Sequence, residues 1–396
     1  MHHFIYATKD AWISSGSSTI TGESWRDQNF GQDEILELKK VFYNESFDHA
    51  TRVLVSFKGT DFTNMSQSIV DGEIVNPKFY LRLYEAEGNQ ELSTTYKLAS
   101  FPVSQSWDEG TGQFGDDPKT TVGVSWENRN NYVGATEVTW SGDTGLPSQG
   151  GHYHSGSDDQ WLRGSQSFDY ESPDVNMEVT DIVNHWLLSG SNSNHGMLVR
   201  FSGSQEEASN SDGSITFGHL KFFSSQTSTI YPPKLEVRWD DHTPCTGSAT
   251  GSLLPASMSG EVDTILTMKH LRESYRESDK VKFRVSPRPR YVTKSFNTSV
   301  QTLTGSFIPE GSGSYSIIDV ATNETIIPFS PFTGTLRPHS TATGSSYLSC
   351  DSTSNYFVQW MNGFHPNRIY KIIYKLKFDD NQEILYDDGF EFKLRS

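Results

Sequence analysis

Apolar and polar residues alternate with a period of two over short stretches all along this chain, the pattern of half-buried β-strands. In Arg52–Phe57, residues Val53, Val55 and Phe57 share one side. Phe79, Leu81 and Leu83 do so in Lys78–Tyr84, and Ala11 and Ile13 in Asp10–Ser14. Glu34–Leu38, Tyr96–Ser104, Met197–Phe201, His219–Phe223 and Lys234–Trp239 complete a first set of predicted strands. A second set comprises Thr264–His270, Lys280–Val285, Ser314–Val320, Arg368–Phe378 and Glu383–Leu394, with Asp379-Asp380-Asn381 as a hairpin turn between the last two. Asp181–Leu187 departs from this pattern: its apolar spacing predicts a short helix capped by Thr180 or Asp181.

Two stretches interrupt the alternation. Residues 105–176 are rich in Gly, Ser, Asp and Trp and read as a long insertion that makes contacts or carries function. Residues 242–260 are rich in Ser, Gly and Thr and read as a linker. The expected domains are therefore 1–241 and 261–396. A length of 396 residues, too great for one ordinary core, agrees with two. With 13% aromatics among only 34% apolar residues, the composition suits pleated sheets better than amphipathic helices.

Charge separates the two halves. Residues 1–249 carry 34 acidic against 16 basic residues, whereas residues 250–396 carry 15 against 16. Such an acidic first half repels nucleic acid and anionic membranes, so neither nucleic-acid binding nor membrane insertion is expected. No apolar run reaches the roughly 18 residues of a membrane-spanning helix, and Met1–Tyr6 does not read as a secretory signal. Only Cys245 and Cys350 occur, which fits a reducing compartment at least as well as an oxidising one.

Candidate chemistry concentrates in the insertion. Trp140, Trp161, Tyr132 and Tyr153 lie among Gly, Ser and Asp, and flat exposed rings there would suit either a sugar face or a subunit interface. Trp107 and Trp126 read as core. Asp116, Asp117, Asp158 and Asp159, with His152 and His154, supply ligand types for calcium or another metal. Their spacing matches neither an EF-hand nor a zinc motif, and no cofactor is expected. No nucleophile elbow, phosphate loop or His-Glu-x-x-His occurs. The carboxylates Asp108, Glu109, Asp116 and Asp117 fall into no recognisable glycosidase arrangement. Catalysis is therefore not expected. Lys280, Lys282 and Arg284 alternate with Val281, Phe283 and Val285, and Arg288 and Arg290 follow. This basic strand face suits an acidic neighbouring subunit.

Several segments, taken in order, carry a resemblance. They are Lys9-Asp10-Ala11-Trp12-Ile13, Asn29-Phe30-Gly31 ahead of Leu36 and Leu38, Arg52–Phe57 and Leu81-Arg82-Leu83-Tyr84. Ser106–Gly110 with Val124–Asn128, Val179–Val183 with Trp186, and Phe222–Ser225 with Pro233-Lys234-Leu235 follow. Together they span about residues 4–240 and resemble the DNRLRE-type domain, a carbohydrate-binding-like β-sandwich. That resemblance implies a jelly-roll-like fold. Here the segment stands without the signal peptide or neighbouring catalytic domain usual for the family. Arg290-Tyr291-Val292, Ser299–Phe307, Ser314–Asp319 and Tyr386–Leu394 are similar in style to virion structural proteins of marine tailed phages.

The sequence thus predicts an all-β protein, a jelly-roll-like sandwich followed by an Ig-like β-sandwich. The function it implies is a structural part of a tailed-phage virion (neck, tail, baseplate or fibre) assembled in the host cytoplasm. Its partners would be other virion proteins and further copies of itself. The alternative is a carbohydrate-binding surface protein that contacts a host glycan.

Overall fold

The computed structural model describes the chain except for residues 18–21, 44–45, 88–94, 132–135, 142–148, 155–161, 170–173, 189–192, 203–205, 207–217, 259–263, 292–295, 297–299, 301–303, 330–345 and 396. The protein is all-β, with two short α-helices among the described residues. It forms two compact units: Ile5–Glu73 with Lys78–Glu236, and Met1–Phe4 with Ile74–Pro77 and Val237–Ser396.

The first unit is built on two sheets. One has the strand order His2–Tyr6, Lys234–Arg238, Lys78–Leu83, Val175–Glu178. In Lys78–Leu83 the period-two pattern does what it predicts, with Phe79, Leu81 and Leu83 buried and their neighbours half-exposed. The other is a curled sheet ordered Gly164–Asp169, Thr95–Pro102, Met197–Phe201, Ser46–Ser56, Ile35–Tyr43, Gly218–Phe223, Glu85–Glu87. The long strand Ser46–Ser56 pairs with three others in it. The first half pairs with Ile35–Tyr43, placing Ala50 opposite Lys40, and the second half with Lys9–Ser14, placing Leu54 opposite Ala11.

Met197–Phe201 is buried at every position, so both faces of the curled sheet are covered. On one face Ala11, Ile13, Leu54 and Leu198 pack against Trp107, Trp126 and Trp140. Of the stretch predicted as an insertion, the described segments around Trp107, Trp126 and Trp140 therefore cover the sheet's second face, whereas Gly164–Asp169 and the start of Val175–Glu178 are strands of the two sheets. Asn29 ties that cover down: its amide donates to the carbonyls of Glu109 and Val124, each at 2.7 Å, and its oxygen accepts from Gly112 at 2.8 Å. Gly112 lies so close that a Cβ there would meet the Asn29 carbonyl oxygen at 2.4 Å.

The expected helix spans Thr180–Leu188 and buries Ile182, Val183 and Trp186. Thr180 Oγ1 accepts the amide of Phe79 at 3.1 Å. A second helix, Thr60–Val70, was not foreseeable from periodicity because Met65 is its one buried residue. Phe62 nevertheless meets the Trp186 ring edge-on at 6.0 Å.

The second unit is a sandwich of a four-stranded and a five-stranded sheet. The first is ordered Thr264–Lys269, Lys280–Pro289, Asn355–Trp360, Ser349–Cys350. The second is ordered Ser274–Arg276, Glu383–Arg395, Ile369–Lys377, Gly313–Asp319, Thr325–Ile327. Aromatic side chains close the gap between them: Tyr315 stacks on Phe357 at 3.7 Å, and Phe283 lies 5.4 Å from Phe392. The Asp379-Asp380-Asn381 turn is present. Asn381 takes a left-handed φ of 65°, and Phe378 and Gln382 hydrogen-bond across it.

The described part of the expected linker, residues 242–258, is structured and belongs to this unit. Leu254–Pro255 pairs with Ser306–Phe307, residues 247–250 form a 3-10 turn, and Cys245 is buried with Phe307 and Cys350. Its small polar residues read as a spacer, yet they supply close backbone contacts rather than freedom.

Candidate functional site

The outer face of the four-stranded sheet carries the basic strand. Alternation along Lys280–Pro289 turns Phe283, Val285 and Pro287 inward and leaves Lys280, Lys282 and Arg284 outward. On the neighbouring strand Asn355, Phe357 and Gln359 are buried, while Tyr356, Val358 and Trp360 are half-exposed. The register sets Lys280 opposite Trp360 and Arg284 opposite Tyr356. The Lys280 ammonium accordingly sits 4.5 Å from the Trp360 ring centre, and that of Lys282 3.5 Å from Tyr356. Cations over aromatic faces gain about 0.5–1 kcal/mol each at exposed sites.

Among the described residues, one carboxylate pairs with the cations of this face. Asp351 takes Arg284 through both oxygens at 2.8 and 2.9 Å and Lys282 at 2.9 Å. The Arg284 hydrogen bonds hold the Asp351 carboxyl well below its usual range. Two cations share one anion, Lys280 adds a third positive charge, and Arg288 is exposed further along the strand. Arg290 is exposed just beyond its end. The result is a flat strip of positive charge and ring edges, suited to an acidic surface rather than to enclosing a small molecule.

The aromatic candidates of the first unit lie elsewhere than expected. Trp140 is 1% exposed, and its indole N–H donates to the Ser125 carbonyl at 3.0 Å. It was expected to be open because its neighbours are Gly, Ser and Asp. The Asn128–Asn130 and Val138–Thr139 hairpin instead precedes it, and Trp140 packs with Trp107 and Trp126. Tyr153 is also buried, 4.7 Å from the Phe101 ring. Trp161 and Tyr132, like Asp158 and Asp159, lie outside the described residues. Trp107 and Trp126 are buried, as expected of core residues.

Beneath Trp126 and Tyr153 lies a buried charged cluster. Arg52 grips Glu206 through two bonds of 2.8 and 3.0 Å, Arg200 donates to the same carboxylate, and Arg52 also donates to the Gly150 carbonyl at 2.5 Å. Burial pushes the Glu206 carboxyl up, but the two guanidiniums outweigh it and hold the pKa below the ordinary value. The cluster pins residue 206 and the 150 turn to the sheet.

The metal candidates do not converge. His152 is buried with its ring against Ser104, whereas His154 is exposed and faces His185 at 5.9 Å. Asp116 accepts the amide of Gln113 at 2.9 Å, and Asp117 is exposed. Among the described residues no three His, Cys, Asp or Glu side chains are placed to hold an ion.

Of the candidate acids, Glu109 accepts the backbone N–H of Asp10 at 2.9 Å. Asp10 itself is 1% exposed and accepts Ser225 N–H at 2.8 Å, while its other oxygen is buried without a partner. Burial raises the Asp10 carboxyl to about 7, and also raises that of Glu109. Asp10 sits inside a strand motif, and nothing in its spacing marks it as an unusual acid.

Two further groupings escaped the sequence. Ser349, His242 and Glu310 stand in the order of a hydrolase triad, with His242 2.7 Å from Glu310 and 3.5 Å from Ser349. The serine contact is at the outer limit of a hydrogen bond, and Ser349 Oγ already accepts the amide of Thr243 at 3.0 Å. Their work is to fasten the 242–245 segment, helped by Cys245 N–H donating to Glu310 at 2.9 Å. In the first unit Phe114, 50% exposed, meets Trp25 at 5.6 Å beside the Lys39 ammonium. This is an open aromatic corner.

The chain matches no known family model, and no curated protein matches it. No described helix is long and apolar enough to cross a membrane.

Proposed function

We propose that this chain is a non-catalytic structural component of a tailed-phage virion that works through protein–protein contacts. The observation that carries the reading is the cation–aromatic strip of Lys280, Lys282, Arg284, Tyr356 and Trp360, whose single described carboxylate, Asp351, leaves it positive. Its natural counterpart is an acidic protein surface, and residues 1–249 of another copy are acidic enough to qualify. The likeness of residues 262–396 to phage virion proteins supplies the setting. The groups with chemical potential have structural partners: Glu206 holds Arg52 and Arg200, Asp10 and Glu109 accept backbone N–H groups, and His242 pairs with Glu310.

The test is made on particles. Virions purified from infected cells are digested and searched for peptides of this chain, and the Lys280→Glu/Lys282→Glu variant is supplied in trans. Stoichiometric peptides in the particle, with incorporation of the variant reduced about tenfold or more, are the expected results. Particles without the chain sink the reading.

Carbohydrate binding is a second reading, favoured by the Trp25–Phe114 corner, where a pyranose could stack on an exposed ring. Glycan-array binding lost in Phe114→Ala would support it.

A further inference from the structure

Cys245 and Cys350 are the chain's two cysteines, and the fold brings them together across 105 positions of sequence. Cys350 N–H donates to the Thr243 carbonyl at 3.2 Å, and the Cys245 thiol lies 3.5 Å from the Leu348 carbonyl. The two backbone segments therefore run side by side. Asn355 stands directly opposite Cys350 in the sheet, and its amide donates to the Cys245 sulfur at 3.4 Å. Both side chains are buried with Phe307 against a common apolar patch. Neither thiol serves the cation–aromatic strip.

We propose that Cys245 and Cys350 are an oxidisable pair that closes to a disulfide, bonding the segment that opens the second unit to the edge of its four-stranded sheet. The inference does not depend on the proposed function. The neighbouring thiol pushes the Cys245 pKa up and holds that of Cys350 down.

A disulfide oxidant such as oxidised glutathione completes the balance. The Cys350 thiolate attacks one sulfur of the oxidant, breaks its S–S bond and releases one glutathione thiolate. Cys245 then gives up its proton and attacks the Cys350 sulfur of the mixed disulfide, expelling the second glutathione. The protein loses two protons and two electrons, and the oxidant gains them. Because both sulfurs are buried, the rate is set by local opening of the 242–258 segment.

The native chain is equilibrated in glutathione buffers of graded ratio, starting from the reduced and from the oxidised protein. It is then acid-quenched, denatured, alkylated and weighed intact. The expected result is a monomer that takes up no alkyl group and is lighter by two hydrogens, with one peptide joining Cys245 to Cys350. Its equilibrium constant for oxidation should exceed that of the urea-unfolded chain by roughly 100-fold or more, because the fold holds the thiols together. Cys245→Ser and Cys350→Ser should each abolish the closed form. Equal constants in folded and unfolded chains, two glutathione adducts per chain, or cross-linked dimers would each overturn the proposal.

Discussion

Replacing Asp10 by Asn should make the first unit more stable in a way that depends on pH. Asp10 is buried, and its carboxyl titrates at about 7 rather than at 3.8. A carboxyl whose pKa is raised by folding favours the folded state while it is protonated. That contribution is complete below pH 3.8 and is lost as pH rises through about 7. The loss runs at about 1.4 kcal/mol per pH unit and totals roughly 4 kcal/mol. Asn is neutral throughout and keeps an oxygen for the Ser225 N–H, so the variant escapes this loss. Its new amide group replaces an oxygen that has no partner, which costs about 1–2 kcal/mol at every pH. The diagnostic is therefore the slope. Urea unfolding followed by tryptophan fluorescence at pH 4.5, 6 and 8 should show the variant gaining on the wild type by about 1.4 kcal/mol per unit up to pH 7, then levelling. Glu109→Gln separates the neighbouring carboxyl. Parallel stability curves for Asp10→Asn and wild type would refute the reasoning.

Three more outcomes follow from the geometry. Glu206→Gln leaves Arg52 and Arg200 buried without a carboxylate and should cost about 3–5 kcal/mol in denaturant unfolding at pH 7. That cost should shrink as acid protonates the wild-type carboxyl, because a lowered pKa contributes stability only above it. Trp140→Ala should destabilise the first unit by about 3–5 kcal/mol, and calorimetry would expose a purely surface role by showing no change. Asp351→Asn should change stability by less than about 1 kcal/mol, since its pairs are half-exposed, yet strengthen retention on a polyanion column. Unchanged retention would deny that Asp351 tempers the positive strip.

Strand identity was legible wherever a sheet has one wet face. Lys78–Leu83 and Lys280–Pro289 alternate because their two sides meet different surroundings. The alternation could not show that the sheet around Met197–Phe201 is covered twice, since that needs Trp107, Trp126 and Trp140 to fold back onto it from elsewhere in the chain. The same blindness placed Trp140 and Tyr153 on the surface: a Gly- and Ser-rich neighbourhood describes local backbone, while burial is decided by distant partners. The basic strand was readable because charge and period coincide. Tyr356, Trp360 and Asp351, which shape it, arrive from some 70 residues downstream by strand pairing. Residues 242–258 read as a tether because small polar residues suit a tether and a closely packed edge equally well.

The long strand Ser46–Ser56 has a bearing on how the chain is made. Val53 finds Trp12 already made on one side but waits for Val199 on the other, so a ribosome must emit about 200 residues before this strand is enclosed. Until then its edge stays open to other nascent chains. Chains cut short before Met197 should therefore collect as insoluble material, whereas those ending after Arg238 should not.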